Sequence, residues 1–199
     1  MEDSTFYEPW PDDNFLGLTD VAQINAEEAR GIATAEVFLY TTADLEDELN
    51  ISFILRLHKM SFGHLYHWAG KWRTVQVMVG QITPPESKHV VFLIYQFLDN
   101  LNYQISRIKD EESLVDCLAY CHYQFIYIHP FLNGNGRTAR LLTNWIALKQ
   151  GYMPVLLEHG KGPNRPIYIQ AMRMADEGDM TMLKDLIRKD LRPIEKALH

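Results

Sequence analysis

The sequence has few cysteines and no cationic excess. It also has no long apolar run and no repeat. Its two cysteines, Cys117 and Cys121, stand four apart in one helical pattern. That spacing reads as core filling with reduced thiols and argues against a disulfide framework or a metal site. Lysine and arginine total 19 against 26 aspartates and glutamates, a formal net charge of −7. A chain so acidic is a poor match for a nucleic-acid backbone. No apolar stretch reaches the length of a membrane span, and Met1-Glu2-Asp3-Ser4 is acidic rather than signal-like. Repeats, linkers and low-complexity tracts are missing, and no His/Cys spacing suits a metal hydrolase. The expectation is a cytoplasmic protein with no nucleic-acid or membrane partner.

What is present is ordinary globular material, 47% hydrophobic and 23% charged. With 199 residues the chain can bury one good core. Residues 1–18, with Pro9 and Pro11, read as an irregular arm, and residues 19–199 as one domain. Asn25 with Glu28 three later predicts a helix start, running to about Leu39. Helices are predicted from Ile51 to Met60, over a short segment with Leu65, Trp68 and Ala69, and from Lys88 to Ile105. A further helix ending at Ile128 is apolar nearly all round and therefore central, with His122 as a hydrogen-bonded core histidine. Helices from Pro166 to Asp176 and from Met180 to Lys196 close the domain. Between Arg73 and Thr83 the period changes. Val75, Val77 and Val79 alternate with Gln76 and Met78, then Gly80-Gln81 turns and Pro84-Pro85 stops the run. This predicts a small β-hairpin, which composition alone would allow to be a packed edge ribbon.

The stretch from Ile128 to Arg140 concentrates the chemistry. Pro130 cannot continue a helix and drives His129 out of the α region, leaving its imidazole at the helix end. Phe131 is expected to plug the loop into the core. Asn133-Gly134-Asn135-Gly136 can take positive φ at little cost and turn several N–H groups toward one point at a helix start. Such a loop is an anion cradle. Arg137 and Arg140 are then expected in the first helical turn, three apart on one face, where cations oppose the dipole by about 0.3–1 kcal/mol each. A bound phosphate chain would remove that conflict, and His129 beside it suggests a general base next to a phosphoryl group. Gly160-Lys161-Gly162-Pro163-Asn164 lacks the Gly-Lys-Ser/Thr ending of a phosphate loop and is set aside.

The string His129-Pro130-Phe131-Leu132-Asn133-Gly134-Asn135-Gly136-Arg137-Thr138-Ala139-Arg140 resembles the Fic (Fido) signature His-Pro-Phe-x-Asp/Glu-Gly-Asn-Gly-Arg-x-x-Arg. It departs at one fixed position, Asn133 for an acid. The resemblance runs from about Leu45 to Asp190 and includes Leu57 to Gly63, Trp68 to Thr74 and Tyr168 to Met172. With Trp-Ala-Gly upstream, the variant looks most like the subgroup called mobile mystery protein B.

The resemblance implies a mainly α, Fic-type helical bundle with a small β-hairpin flap. It also implies AMP transfer from ATP to a Ser, Thr or Tyr hydroxyl of a target protein. In that reading His129 is the base. Asn133, Gly134, Asn135, Gly136, Arg137 and Arg140 hold the phosphates, with Asn135 adding a side-chain amide. Thr74, Val75, Gln76, Val77, Met78 and Val79 form a flap that holds the target by strand addition. Mg²⁺ would sit at Asn133, where an amide is a weaker ligand than a carboxylate. Tyr168 is either an adenosine contact or a core aromatic.

The family's inhibitory pattern, Ser/Thr-x-x-x-Glu-Gly/Asn, matches neither Ser4…Glu8-Pro9 nor Thr42…Glu46-Asp47. A separate antitoxin-like inhibitor is then open. Because of Asn133, two alternatives stand beside AMP transfer: a nucleotide-binding module without turnover, and transfer of a different phosphate-containing group.

Overall fold

The core forms around one helix that is apolar on nearly every side. In the computed structural model, which describes residues 14–41, 48–79, 82–157 and 165–194, that helix is α4 (Glu111–Ile128). Asp110 starts it: its carboxylate accepts from the Ser113 N–H at 2.8 Å, and the Ser113 hydroxyl receives the Asp110 N–H at 3.1 Å. Glu111 and Glu112 then complement the dipole in the first turn. The helix buries Leu114, Val115, Cys117, Leu118, Cys121, Phe125 and Ile128 against three neighbours, α3 (Val90–Ser106), α5 (Asn135–Lys149) and α7 (Thr181–Asp190). Both cysteines are free and buried, and burial pushes the Cys117 thiol up to about 12, as core fillers require.

Two further helices cover the other side of α5. They are α1 (Val21–Thr41) and α2 (Ile51–Phe62), the latter capped by the Asn50 side chain on the Phe53 N–H. α6 (Arg165–Asp176) packs on α7. No described helix is long and apolar enough to cross a membrane. A second cluster of Phe62, Leu65, Tyr66, Trp68 and Ala69 lies beyond the end of α2.

Several expectations are corrected. The first helix begins at Val21, because Asp20 rather than Asn25 takes the capping position and accepts from the Gln23 N–H. The arm's last residues are tied down: the Asn14 amide bonds both backbone groups of Leu18, and the Phe15 N–H reaches the Leu65 carbonyl. Residues 1–13 lie outside the described residues.

The segment carrying Leu65, Trp68 and Ala69 is a string of turns with bonds three residues apart, held by its aromatic cluster. α7 stops at Asp190, since Pro193 follows and the chain pairs there with Tyr152. The predicted hairpin is reduced, among the described residues, to one antiparallel bridge between Val79 and Ile82. Alternating valines favour a strand, but Pro84 and Pro85 opposite them have no N–H to give a ladder. The Gly80-Gln81 turn lies outside the described residues, as do the Thr42…Glu46 and Gly160–Asn164 segments.

α1 and α2 touch at Gly31, where an added Cβ would lie 1.9 Å from the Ser61 carbonyl oxygen. Alanine is the better helix former by about 1 kcal/mol. The overpacking penalty of about 1–3 kcal/mol nevertheless decides the sign. Gly31→Ala is expected to lower the unfolding free energy in a urea titration, and a stabilised variant would show that the two helices are not closely packed.

Candidate active site

The turn between α4 and α5 is built from buried groups outward. His129 ends α4 in the left-handed conformation (φ 51°, ψ 59°), the one non-glycine residue with positive φ among those described. Such a conformation costs roughly 1–2 kcal/mol for an L-residue and persists only where its surroundings impose it. They do so here. Phe131 is fully buried, its ring stacked on His58 at 3.6 Å and on Trp72 at 4.9 Å, so the expected plug is present. The Asn135 amide bonds both backbone groups of Phe131, accepting from its N–H at 2.8 Å and donating to its carbonyl at 2.9 Å. This corrects the expectation that the Asn135 side chain faces phosphate. Its backbone N–H lies ahead of the first intrahelical bond of α5.

His58 is the third support, buried in α2. Its Nδ1 accepts from the Gly70 N–H at 2.8 Å, so Nε2 carries the proton and donates to the Asn133 carbonyl at 3.0 Å. Burial pushes this imidazole down to about 4, and the Arg137 charge adds to the effect. The next residue, Gly134, has φ 76° and lies against Phe62, where a Cβ would come within 2.4 Å of the ring.

α5 therefore opens with a glycine cap that offers no side-chain bond. The first intrahelical bond is Thr138 N–H to the Gly134 carbonyl, which leaves the N–H groups of Asn135, Gly136 and Arg137 ahead of it. Arg137 lies in the first turn and Arg140 in the second, and their charges act on each other. Burial pushes Arg140 down to about 10, so it stays protonated at neutral pH.

His129 itself is half-buried. Its Nδ1 lies 3.4 Å from the Ile126 carbonyl, a long contact that only an N–H can make, which leaves Nε2 with the lone pair. Burial is the main cause holding the ring at about 4, with the nearby Arg73 charge acting in the same direction. The ring is neutral at physiological pH and able to accept a proton.

Four partners were not foreseen from the residues. Glu28 of α1 is buried and pairs with Arg137 at 2.6 Å, while the Tyr66 hydroxyl donates to its other oxygen at 2.9 Å. The Arg137 guanidinium also covers the Phe62 ring at 4.5 Å. Glu28 escapes the inhibitory pattern because Ile24 stands four residues before it and Ala29 after it. Arg73 is buried among carbonyls of the same turn. Asn133, offered as a metal ligand, turns its Oδ1 to the Gly134 N–H at 2.6 Å, and no group of three His, Cys, Asp or Glu residues among those described could hold a metal ion.

This signature turn and the helices around it match the family model described as Fic/DOC over residues 48–147. The chain belongs to the Fic/DOC family. It is 36% identical over 144 residues to the protein adenylyltransferase Fic of Drosophila willistoni, covering 71% of this chain and 28% of that protein. Similarity to protein adenylyltransferase fic-1 of Caenorhabditis elegans is also 36%, over 139 residues, 67% of this chain and 25% of the relative. The chain thus spans about a quarter of the length of these relatives.

Among solved structures, Fic-1 of C. elegans superposes with a TM-score of 0.66 at 31% identity, over 82% of this chain and 47% of that one. BepC of Bartonella tribocorum, with bound AMPPNP, gives 0.75 at 18% identity, over 97% and 98%, a likeness of fold. The Fic/DOC fold therefore accounts for the bundle. His122, whose Nε2 meets the Tyr168 hydroxyl at 2.9 Å, is the expected core histidine. Tyr168 is buried with it, which favours the core alternative.

His58 makes the turn sensitive to acid. Its folded value near 4 lies below the ordinary 6.5, so between those values the unfolded chain binds a proton that the folded chain refuses. The stability present above pH 6.5 is lost as pH falls toward 4, by up to about 1.4 kcal/mol per pH unit. Urea titrations at pH 7 and pH 5 should show this loss, and His58→Gln, less stable at pH 7, should show a flatter dependence. An equal dependence in both proteins would contradict the buried neutral ring.

Proposed function

We propose that this chain transfers AMP from ATP to a hydroxyl of a target protein, with His129 as general base. The observation that carries the reading is a neutral imidazole, its Nε2 lone pair unengaged by the Ile126 carbonyl, at a turn that leads into an uncapped helix N-terminus bearing Arg137 and Arg140. Kinship with proteins named adenylyltransferases supports it. The target oxygen attacks the α-phosphorus and its proton passes to Nε2 of His129. The bond from that phosphorus to the bridging oxygen breaks, and pyrophosphate leaves. Backbone N–H groups of Asn135 and Gly136 stabilise the charge that develops on the phosphoryl oxygens. Arg140 holds the terminal phosphate, and Arg137 contributes the donors that Glu28 does not engage.

Thr74, Val75, Gln76 and Met78 are exposed in this reading's flap and carry no ladder among the described residues, which suits a target strand added along them. A cytoplasmic setting and an inhibitor of the antitoxin kind belong to the same proposal.

The residues present do not fit a protein-held Mg²⁺. Asn133 offers an amide whose oxygen is already on Gly134, and among the described residues no cluster of three His, Cys, Asp or Glu side chains replaces it. The same observation favours the second reading, a module that binds nucleotide without transferring AMP or that transfers another phosphate-containing group.

Mass spectrometry of a cell lysate incubated with the purified chain, ATP and Mg²⁺ separates the readings. An AMP adduct on protein hydroxyls is expected, lowered about 10²–10⁴-fold in His129→Ala, with nucleotide affinity nearly unchanged. Full labelling by that variant overturns the base assignment, and saturable ATP binding with no adduct supports the second reading. Asn133→Asp is expected to raise the labelling in a Mg²⁺-dependent way.

A further inference from the structure

Arg73 is 2% exposed and, among the described residues, is bonded to carbonyls and to no carboxylate. Its Nε donates to the His129 carbonyl at 2.7 Å and one Nη to the Ile128 carbonyl at 3.4 Å, while its backbone N–H reaches the Pro130 carbonyl at 2.8 Å. Three consecutive carbonyls of the turn that carries the imidazole thus end on one residue. The Nη that reaches Ile128 also donates to the Pro85 carbonyl, and the other Nη donates to the Val75 carbonyl at 3.1 Å. Val75 and Pro85 lie on the two sides of the flap's stem. Among the described residues, the stem's other side-chain bonds are Gln76 to the Pro84 carbonyl at 2.8 Å and the Ser87 hydroxyl to the Thr74 carbonyl at 3.0 Å.

A buried cation without a counter-ion is expensive, and it persists where a fan of carbonyl dipoles satisfies it. A planar fork reaches several acceptors at fixed angles, which a lysine ammonium cannot. His129 sits in an unfavourable backbone region, and the Nε bond to its carbonyl is one of the contacts that hold it there.

We propose that Arg73 is a positioning residue that locks the His129 turn and the flap stem into one rigid unit, so that a segment lying along the flap meets the imidazole at a set distance. The kinetic consequence rests on the transferase reading above, whereas the mechanical coupling does not. Burial is the larger cause holding the His129 ring neutral, and the Arg73 charge adds to it.

Two variants separate shape from charge. Arg73→Lys keeps the cation without the fork, and Arg73→Gln removes the cation. Hydrogen exchange should rise together in peptides covering 73–87 and 128–133, by roughly tenfold or more in either variant, as loss of several buried hydrogen bonds implies. Peptides at the start of α5 and the nucleotide affinity should change by less than about threefold, the effect expected at a separate site.

Histidine ring NMR, with the His129 signal assigned by His129→Ala, should show its titration moving up in Arg73→Gln and staying low in Arg73→Lys. Exchange rising in one segment only, or Arg73→Lys behaving as the parent protein, overturns the proposal. So does an unmoved His129 titration in Arg73→Gln. If Arg73→Gln does not fold, the exchange result for Arg73→Lys alone decides. Absence of AMP transfer by the parent protein would count against the transferase reading and leave the exchange result standing.

Discussion

The His58 ring lies flat on Phe131, with one nitrogen taken by the Gly70 N–H and the other donating to the Asn133 carbonyl. This one buried imidazole connects α2, the turns after it and the loop between α4 and α5. Because both nitrogens are engaged in the neutral form, the ring cannot take a proton without losing a bond and burying a charge beside Arg137. Phe131 beneath it fixes where α4 ends, and Asn135 clamps the backbone of Phe131 from the far side. The left-handed His129 and the uncapped start of α5 follow from these restraints.

An acidic chain that gathers Arg73, Arg137 and Arg140 around one turn concentrates positive potential there. The three arginines differ in task. Arg73 is satisfied by carbonyls and acts on structure. Arg137 is shared between Glu28 and the face of Phe62, which restrains its swing. Arg140 is largely desolvated, so its interaction with an incoming anion is less screened than at the surface. Two histidines near the turn are held neutral by burial, but of the two, among the described residues, only His129 keeps a nitrogen without a bond to another residue's backbone.

The bundle was legible because hydrophobic periodicity marks long helices well. The all-round apolar character of residues 114–128 identified α4 as central, and Pro130 located its end. The turn between α4 and α5, with its glycine cap, could be read from glycine, asparagine and arginine spacing. What could not be read were contacts between residues distant in sequence. Glu28 and Arg137 are 109 residues apart, Arg73 and His129 are 56 apart, and His58 and Asn133 are 75 apart. Nothing local distinguishes Glu28 from its neighbour Glu27, which instead pairs with Arg30 on the surface of α1. Among the described residues the hairpin amounts to one bridge, because alternation reports side-chain burial, whereas a ladder needs N–H donors on the opposing segment, and prolines hold that segment.

A crystal structure of the chain with a non-hydrolysable ATP analogue tests the account most directly. The account predicts phosphate oxygens within hydrogen-bond distance of the Asn135 and Gly136 N–H groups and of the Arg140 guanidinium, with the α-phosphorus on the side of His129 Nε2. A nucleotide bound away from this turn, or a triphosphate whose α-phosphorus lies beyond reach of any hydroxyl that Nε2 could deprotonate, would contradict it.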